Sequence, residues 1–131
     1  MKIVIVDTEC ANLTSVKFAI ERLGYQPVIT DDEAIIGAAD RVILPGVGTA
    51  AAAMRNLQRK QLIEPIKALT QPTLGICLGM QLMTAHSEEG DVECLGLIPA
   101  QTKRMQVGDR PLPHMGWNNV CATNTNPLLD N

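Results

Sequence analysis

The chain has 131 residues, of which 46% are hydrophobic, so it is long enough for one domain with a buried core and too apolar to be disordered. Aromatic residues make up only 2%, which leaves aliphatic side chains and methionine to build that core. A net charge of −3 without a basic patch argues against nucleic-acid binding, and no apolar run approaches the roughly 20 residues of a membrane span. The first residues resemble a core strand rather than a signal peptide, so we expect a cytoplasmic protein.

Cysteine and histidine are too scattered to suggest a metal site. The four cysteines form no CxxC pair, and the chain has two histidines. An even cysteine count is compatible with disulfides, but nothing else suggests secretion, so we expect free thiols and neither a metal nor a cofactor. The cysteines are Cys10, Cys77, Cys94 and Cys121.

Short apolar runs alternate with helical patterns over the first 85 residues. We predict strands at residues 2–7, 27–30, 41–44 and 73–76, and helices at 13–23, 31–39, 49–58, 62–69 and 78–85. Asn12 or Thr14 can cap the first helix and Asp31 the second. The alternation predicts an α/β fold with a doubly wound, mostly parallel sheet flanked by helices.

The pattern changes after Glu88. Residues 95–98, 102–107 and 119–122 are typical of short strands or hairpin pieces. The acidic side chains of Glu88, Glu89, Asp91 and Glu93 indicate a solvated turn. No clear closing element precedes Asn131, so we expect one domain over residues 1–131 that is incomplete at its C-terminus.

The segment Gly75-Ile76-Cys77-Leu78-Gly79-Met80-Gln81 is typical of a nucleophile elbow. An apolar strand leads into a cysteine, glycines flank it, and a helical run follows. Such a turn exposes the side chain at the carboxyl end of a sheet, where the helix N-terminus favours a thiolate. The backbone N–H of Leu78 would then face the oxyanion of an acyl-transfer reaction. A buried, inert cysteine is the alternative for Cys77.

A second glycine-rich turn, Pro45-Gly46-Val47-Gly48, follows the third predicted strand and precedes a helix. Its backbone N–H groups would face the same edge of the sheet as Cys77, because glycine lets a peptide plane approach a ligand closely. It could supply a second oxyanion donor. An ordinary strand-to-helix turn is the alternative.

These two segments resemble the nucleophile motif and the oxyanion strand of class I glutamine amidotransferases. Within that family the chain is similar to the glutaminase subunits of imidazole glycerol phosphate synthases, through Cys10-Ala11-Asn12-Leu13 and Pro113-His114-Met115-Gly116-Trp117-Asn118. The resemblance implies a flavodoxin-like fold and hydrolysis of L-glutamine to glutamate and ammonia by Cys77. It also implies that Gly46, Val47 and Leu78 surround the carbonyl oxygen and that Gln81 helps to hold the substrate.

The resemblance further implies a heterodimer in which ammonia passes to a (β/α)8-barrel synthase subunit that makes imidazole glycerol phosphate in histidine biosynthesis. Asn12, Trp117 and Asn118 would lie at or near that interface. A lone tryptophan in a loop rich in glycine and asparagine fits an interface anchor, and a core plug beneath a loop is the alternative.

Two departures from the family pattern are expected to matter. Family members carry glycine where this chain has Glu9, so a turn that needs positive φ would be strained or reshaped. The activating histidine and its glutamate lie on a His-x-Glu motif in a later segment, and we expect the chain to lack it. His86 is no substitute, because a helix would carry it roughly 13 Å from Cys77 and leave it near the helix C-terminus. His114 has no neighbouring acid in sequence.

The 131-residue chain alone is therefore expected to be inactive. Two alternatives stay open. One is another hydrolase with an elbow cysteine, and the other is a truncated or degenerate amidotransferase-like module that binds the barrel without hydrolysing glutamine.

Overall fold

The structure, a computed structural model, describes residues 1–9 and 11–126 and confirms the predicted α/β fold. Cys10 and residues 127–131, on which some of the predictions above fall, lie outside the described residues. In chain order the elements are β1 (Ile3–Val6), α1 (Leu13–Arg22), β2 (Val28–Thr30), α2 (Glu33–Gly37), β3 (Arg41–Leu44), α3 (Ala50–Arg59), α4 (Ile63–Lys67), β4 (Thr73–Gly75), α5 (Leu78–Met83), β5 (Thr84–Ser87), β6 (Val92–Glu93) and β7 (Ile98–Thr102).

The main sheet is parallel throughout and has the strand order β2-β1-β3-β4. Ile5 pairs with Ile29 on one side and Ile43 on the other, and Ile43 pairs with Leu74. The strand order reverses between β1 and β3. In such sheets a crevice opens beyond the carboxyl ends of the strands at the point of reversal.

Alternate residues of the central strands face two separate cores. Val4, Val6 and Leu44 are fully buried in the larger core, which α2, α3, α4 and α5 cover. Ile3 and Ile5 face the opposite way, where α1 packs on them through Ile20. Strands buried on both faces read as continuous apolar runs, which is why the sequence predicted them correctly.

The helix ends follow local side-chain chemistry. Asn12 caps α1, where its Oδ1 accepts a hydrogen bond from the N–H of Ser15 at 3.3 Å. The prediction that Asp31 caps the second helix is wrong. Asp32 is the cap, because its carboxylate accepts from the N–H of Ala34 at 2.8 Å and of Ile35 at 3.1 Å.

The elbow helix is shorter than predicted, because α5 ends at Met83 and Thr84 begins a strand. The hydroxyl of Thr84 donates to the carbonyl oxygen of Gln81 at 2.7 Å, which terminates the helix. β5 then pairs with antiparallel β6 and with parallel β7 in a second, three-stranded sheet.

Two of the predicted late strands are wrong. Most of residues 102–107 is irregular, and the N–H of Arg104 donates to the carboxylate of Glu88 at 2.9 Å instead of to a strand. Residues 119–122 are all exposed, so no burial stabilises a strand there. The first of the three predicted segments is also displaced, because the strand runs from Ile98 to Thr102.

Among the described residues, no helix combines the length and apolar character needed to cross a membrane. The same residues contain no group of three histidine, cysteine or acidic side chains that could hold a metal ion.

Candidate functional site

Cys77 stands between the end of β4 and the first residue of α5, as an elbow requires. Its backbone has φ 55° and ψ −116°, a conformation that costs an L-residue about 1 kcal/mol or more. Hydrogen bonds hold the backbone on both sides of Cys77. The N–H of Ile76 donates to the carbonyl oxygen of Leu44 at 3.0 Å, and the carbonyl oxygen of Cys77 accepts from the N–H of Gln81 at 3.1 Å. The residue is exposed, so the buried-cysteine alternative is wrong.

The flanking glycines are required by close packing. A Cβ atom on Gly79 would lie 1.7 Å from the carbonyl oxygen of Leu44, and one on Gly75 would lie 2.7 Å from the backbone of Met80. Real Cβ atoms do not approach backbone atoms so closely. The first turn of α5 therefore packs directly on the ends of β3 and β4, and this contact fixes the direction in which Cys77 points.

The turn at residues 45–48 lies against the same helix. A Cβ on Gly46 would stand 2.9 Å from Cβ of Leu78 and 3.0 Å from the backbone nitrogen of Gly79. Gly46 is buried, whereas the neighbouring Val47 is half exposed. The structure therefore brings the predicted oxyanion residues Gly46 and Leu78 together at the start of α5.

Gln81 lies one turn further along α5 and is held by two partners. Its Nε2 donates to Oγ of Ser87 at 2.7 Å and to Oε2 of Glu89 at 3.0 Å. The same carboxylate oxygen of Glu89 accepts from the N–H of Ala50, the first residue of α3, at 3.3 Å. Sequence reasoning assigned Glu89 to a solvated turn and missed this contact, because it depends on β5 folding back beside α5.

A cleft of about 500 Å³ opens beside Gln81. It is lined by two acidic and two basic side chains together with Gln81 and a hydroxyl group. The lining residues are Gln81, Glu88, Glu89, Thr102, Lys103 and Arg104.

The two histidines are engaged with neighbours of their own. His86 lies on β5 rather than at a helix end, so the predicted helical placement is wrong, and its Nε2 lies 3.0 Å from Oδ1 of Asp91. His86-Ser87-Glu88 spells His-x-Glu, so the expectation that the chain lacks this triplet is also wrong. The triplet does not form a histidine–glutamate pair, because Glu88 accepts from the backbone of Arg104. His114 is 3.2 Å from Nδ2 of Asn118.

The other cysteines differ from Cys77. Cys94 is partly buried, and this burial, helped by the charge of Glu93, raises the pKa of the Cys94 thiol and disfavours its thiolate. Cys121 is exposed but lies in the irregular segment after β7. Cys77, Cys94 and Cys121 are all free thiols.

The predicted partner-facing residues are on the surface. Trp117 is fully exposed, so the alternative of a core plug is wrong. Asn118 and Asn12 are exposed as well, although Asn12 also caps α1. An interface role for the three residues stays a prediction.

Glu9 has a positive φ of 58°, so of the two outcomes that the sequence left open at this turn, strain or a reshaped loop, the structure shows the strained backbone. Its carboxylate is paired with Arg59 and with Lys60, whose Nζ lies 3.2 Å away. Residues at the end of α3 therefore hold the side chain of a residue whose backbone is strained.

The structure thus places an exposed elbow thiol at the end of a parallel sheet, with a glycine turn packed against the helix that follows. The family described as "Glutamine amidotransferase class-I" matches residues 4–131. The chain therefore belongs to the class I glutamine amidotransferase family.

Individual relatives show which members of this family the chain resembles. The chain is 74% identical over 130 residues to the imidazole glycerol phosphate synthase subunit HisH of Idiomarina loihiensis, and the match covers 99% of the chain and 66% of that protein. It is 60% identical to the subunit of the same name from Haemophilus influenzae, where the match covers 99% of the chain and 65% of the relative. It is 54% identical to the subunit from Vibrio parahaemolyticus, where the match covers 98% of the chain and 66% of the relative. The chain thus spans about two thirds of the length of these relatives.

Gly79 provides a test of the elbow packing. We expect Gly79→Ala to lower the free energy of unfolding by about 3 kcal/mol, because its Cβ collides with backbone that cannot move aside. Urea denaturation followed by circular dichroism measures the change. The matched control is Gly37→Ala at the end of α2, where a Cβ meets nothing within 4 Å and stability should be unchanged or slightly higher. Equal effects of the two substitutions would contradict the packing argument.

Proposed function

We propose that residues 1–131 belong to a single amidotransferase domain that hydrolyses L-glutamine to glutamate and ammonia. The observation that carries the proposal is the packing of Gly46 against the first turn of α5, immediately after the strained elbow at Cys77. This packing supports the proposal that a nucleophile and backbone N–H donors meet at one end of the sheet. The 74% identity to a synthase subunit supports glutamine as the substrate.

The chemistry follows from these positions. The thiolate of Cys77 attacks the side-chain carbonyl carbon of glutamine, and the negative charge that develops on the carbonyl oxygen is stabilised by backbone N–H groups of Leu78 and of the turn with Gly46 and Val47. The carbon–nitrogen bond then breaks, the nitrogen takes up a proton and leaves as ammonia, and a thioester remains. Attack by water releases glutamate and restores the thiol.

The cleft beside Gln81 has the chemistry of a site for a free amino acid. Glutamine carries an α-ammonium and an α-carboxylate, and the cleft offers carboxylates such as Glu89 together with the cations of Lys103 and Arg104. Glu89 also holds the amide of Gln81 in place. Its carboxylate thus orients the residue that we propose to bind the substrate.

A general base is needed to make the thiolate and to activate water. His86 is paired with Asp91, and His114 with Asn118, so neither is presented to the thiol by the contacts it makes. The base must then come from a group outside these pairs.

We propose that the ammonia passes to a (β/α)8-barrel synthase subunit in a heterodimer that makes imidazole glycerol phosphate for histidine biosynthesis. The relatives' name, a synthase subunit, supports an assembly with a second chain. The exposed side chains of Asn12, Trp117 and Asn118 are the proposed contacts. A cytoplasmic location is consistent with this function and is proposed with it.

A second candidate function is a module that binds the barrel without hydrolysing glutamine. The pairing of both histidines away from Cys77 and the glutamate at position 9 favour it. Under this hypothesis the elbow is retained for its packing rather than for its chemistry.

Turnover distinguishes the two candidate functions. We expect the 131-residue chain alone to release little glutamate, because the contacts of His86 and His114 present neither histidine to the thiol as a base. Extension with the C-terminal third of the Idiomarina relative should restore glutamate release in the presence of the barrel. In that extended chain, Cys77→Ala should lower the rate of glutamate release by at least about 10³-fold. Coupled glutamate assays measure both. Cys121→Ala is the control and should leave the rate unchanged, whereas an active Cys77→Ala variant would refute the mechanism.

Covalent labelling separates a glutaminase from another cysteine hydrolase. We expect a diazo-type glutamine analogue to modify Cys77, because only a site that binds glutamine concentrates the reagent at the thiol. Peptide mass spectrometry locates the label, with the exposed Cys121 of the same chain as internal control. Protection by L-glutamine is required, and equal labelling of both cysteines would argue for an unselective thiol.

Trp117 tests the partner surface. We expect Trp117→Ala to weaken binding of the barrel by at least about 30-fold, because exposed tryptophans that enter an interface often contribute 2 kcal/mol or more. Isothermal titration calorimetry gives the dissociation constant. Phe18→Ala is the control, since Phe18 is half exposed on the surface of α1. Unchanged affinity of the Trp117 variant would remove this loop from the interface.

A further inference from the structure

Five charged side chains meet where α3 ends beside the ends of β1 and β2. The Nζ of Lys60 lies 2.7 Å from Asp31, 3.2 Å from Glu9 and 3.9 Å from Asp7, and it also donates to the carbonyl oxygen of Asp7 at 3.0 Å. Arg59 pairs with the other carboxylate oxygen of Glu9. The end of α3 thus supplies both cations, and the strand ends supply three carboxylates. We call Asp7, Glu9, Asp31, Arg59 and Lys60 the turn cluster.

The turn cluster differs from an ordinary surface ion pair at Lys60 alone, because its other side chains are between a third and two thirds exposed. The side chain of Lys60 is only 9% exposed, whereas the Lys67–Glu64 pair on α4 is 45% and 81% exposed. Exposed pairs contribute little to stability, because water and salt screen them. A shielded ammonium keeps its charge only where acceptors surround it. Asp7, Glu9 and Asp31 are the acceptors around Lys60, so two carboxylates remain beside it when one is removed.

Glu9 connects this cluster to the backbone of the turn between β1 and α1. Its φ of 58° is a conformation that a non-glycine residue keeps only when its surroundings determine it. The N–H of Glu9 donates to the carboxylate of Asp7 at 2.9 Å, and its own carboxylate reaches α3. A second link from α3 runs from Nδ2 of Asn56 to the carbonyl oxygen of Thr8 at 3.3 Å.

We propose that Arg59 and Lys60 are positioning residues that hold the turn between β1 and α1 in its left-handed conformation through Glu9, and so set the start of α1. Asn12 lies at that start, three residues after Glu9. The consequence for docking of the barrel rests on the proposed function, but the effect on the turn does not.

The charges make this arrangement dependent on pH. Hydrogen bonds from Arg59 and Lys60 lower the pKa of Glu9, and the hydrogen bond from Lys60 lowers that of Asp31. Burial lowers the pKa of Lys60, but its bonds to Asp31 and Glu9 and the charge of Asp7 outweigh burial and raise it. The carboxylate contribution is present above the ordinary carboxyl range and is lost as the pH falls through the lowered pKa values. The lysine contribution is lost only in strong alkali, so the turn cluster is intact at neutral pH.

Amide hydrogen exchange of the 131-residue chain tests the positioning role. At pH 7 and low salt we expect Glu9→Gln and Lys60→Met each to speed exchange of the amides at positions 8, 9, 11 and 12 by about threefold or more, while amides 75–81 at the elbow do not change. Lys60→Arg, which keeps the charge, should retain slow exchange. The control is Glu64→Gln, which removes an exposed pair on α4. Unchanged exchange in Glu9→Gln, or an equal rise along the whole chain, would overturn the proposal.

Affinity for the barrel subunit tests the consequence for docking. We expect the Glu9→Gln chain to bind the barrel about threefold or more weakly than the unmodified chain, in line with its faster exchange at positions 8, 9, 11 and 12. Equal binding of the two chains would overturn the docking consequence. A barrel that binds neither chain would contradict the proposed function, whereas the exchange result would still decide whether the turn is held through Glu9 and Lys60.

Discussion

The contact between Gly79 and the carbonyl oxygen of Leu44 is the constraint on which the rest of the site depends. No side chain fits between them, so α5 begins directly on the end of β3. The same carbonyl oxygen accepts the N–H of Ile76, which joins β4 to β3 up to the residue before the elbow. Cys77 is thereby forced into a left-handed conformation and projects from the sheet edge. The strain at one residue is balanced by packing and hydrogen bonds at its neighbours.

The main sheet and the elbow could be predicted from the sequence because each rests on local information. A parallel strand buried on both faces gives a run of apolar residues, and a helix that touches a strand demands glycine at the contact. Both patterns lie within a few residues of sequence. The apolar runs surround Val4 and Val42, and the glycines of the turn are Gly75 and Gly79. The turn at Glu9 could be recognised as unusual from the residue type at that position, although the sequence did not distinguish backbone strain from a reshaped loop.

The second sheet could not be predicted in the same way. Residues 84–87 continue the helical pattern of α5, and only pairing with β6 and β7 makes them a strand. The roles of His86 and Glu89 follow from that pairing, since it turns one toward Asp91 and the other toward Gln81. Likewise, two adjacent aspartates could cap the second helix, and sequence alone did not show that Asp32 would cap it while Asp31 pairs with the distant Lys60.

The register of the main sheet has a thermodynamic consequence. Ile29, Ile5, Ile43 and Leu74 form one row across the sheet, and α1 packs over its middle. Ile5 is fully buried, but Ile29 remains 37% exposed and Leu74 52% exposed. Unfolding therefore hydrates less new apolar surface than it would for a sheet covered across its width. We therefore expect a smaller heat capacity change on unfolding of residues 1–131 than for the same sheet with both of its edges covered.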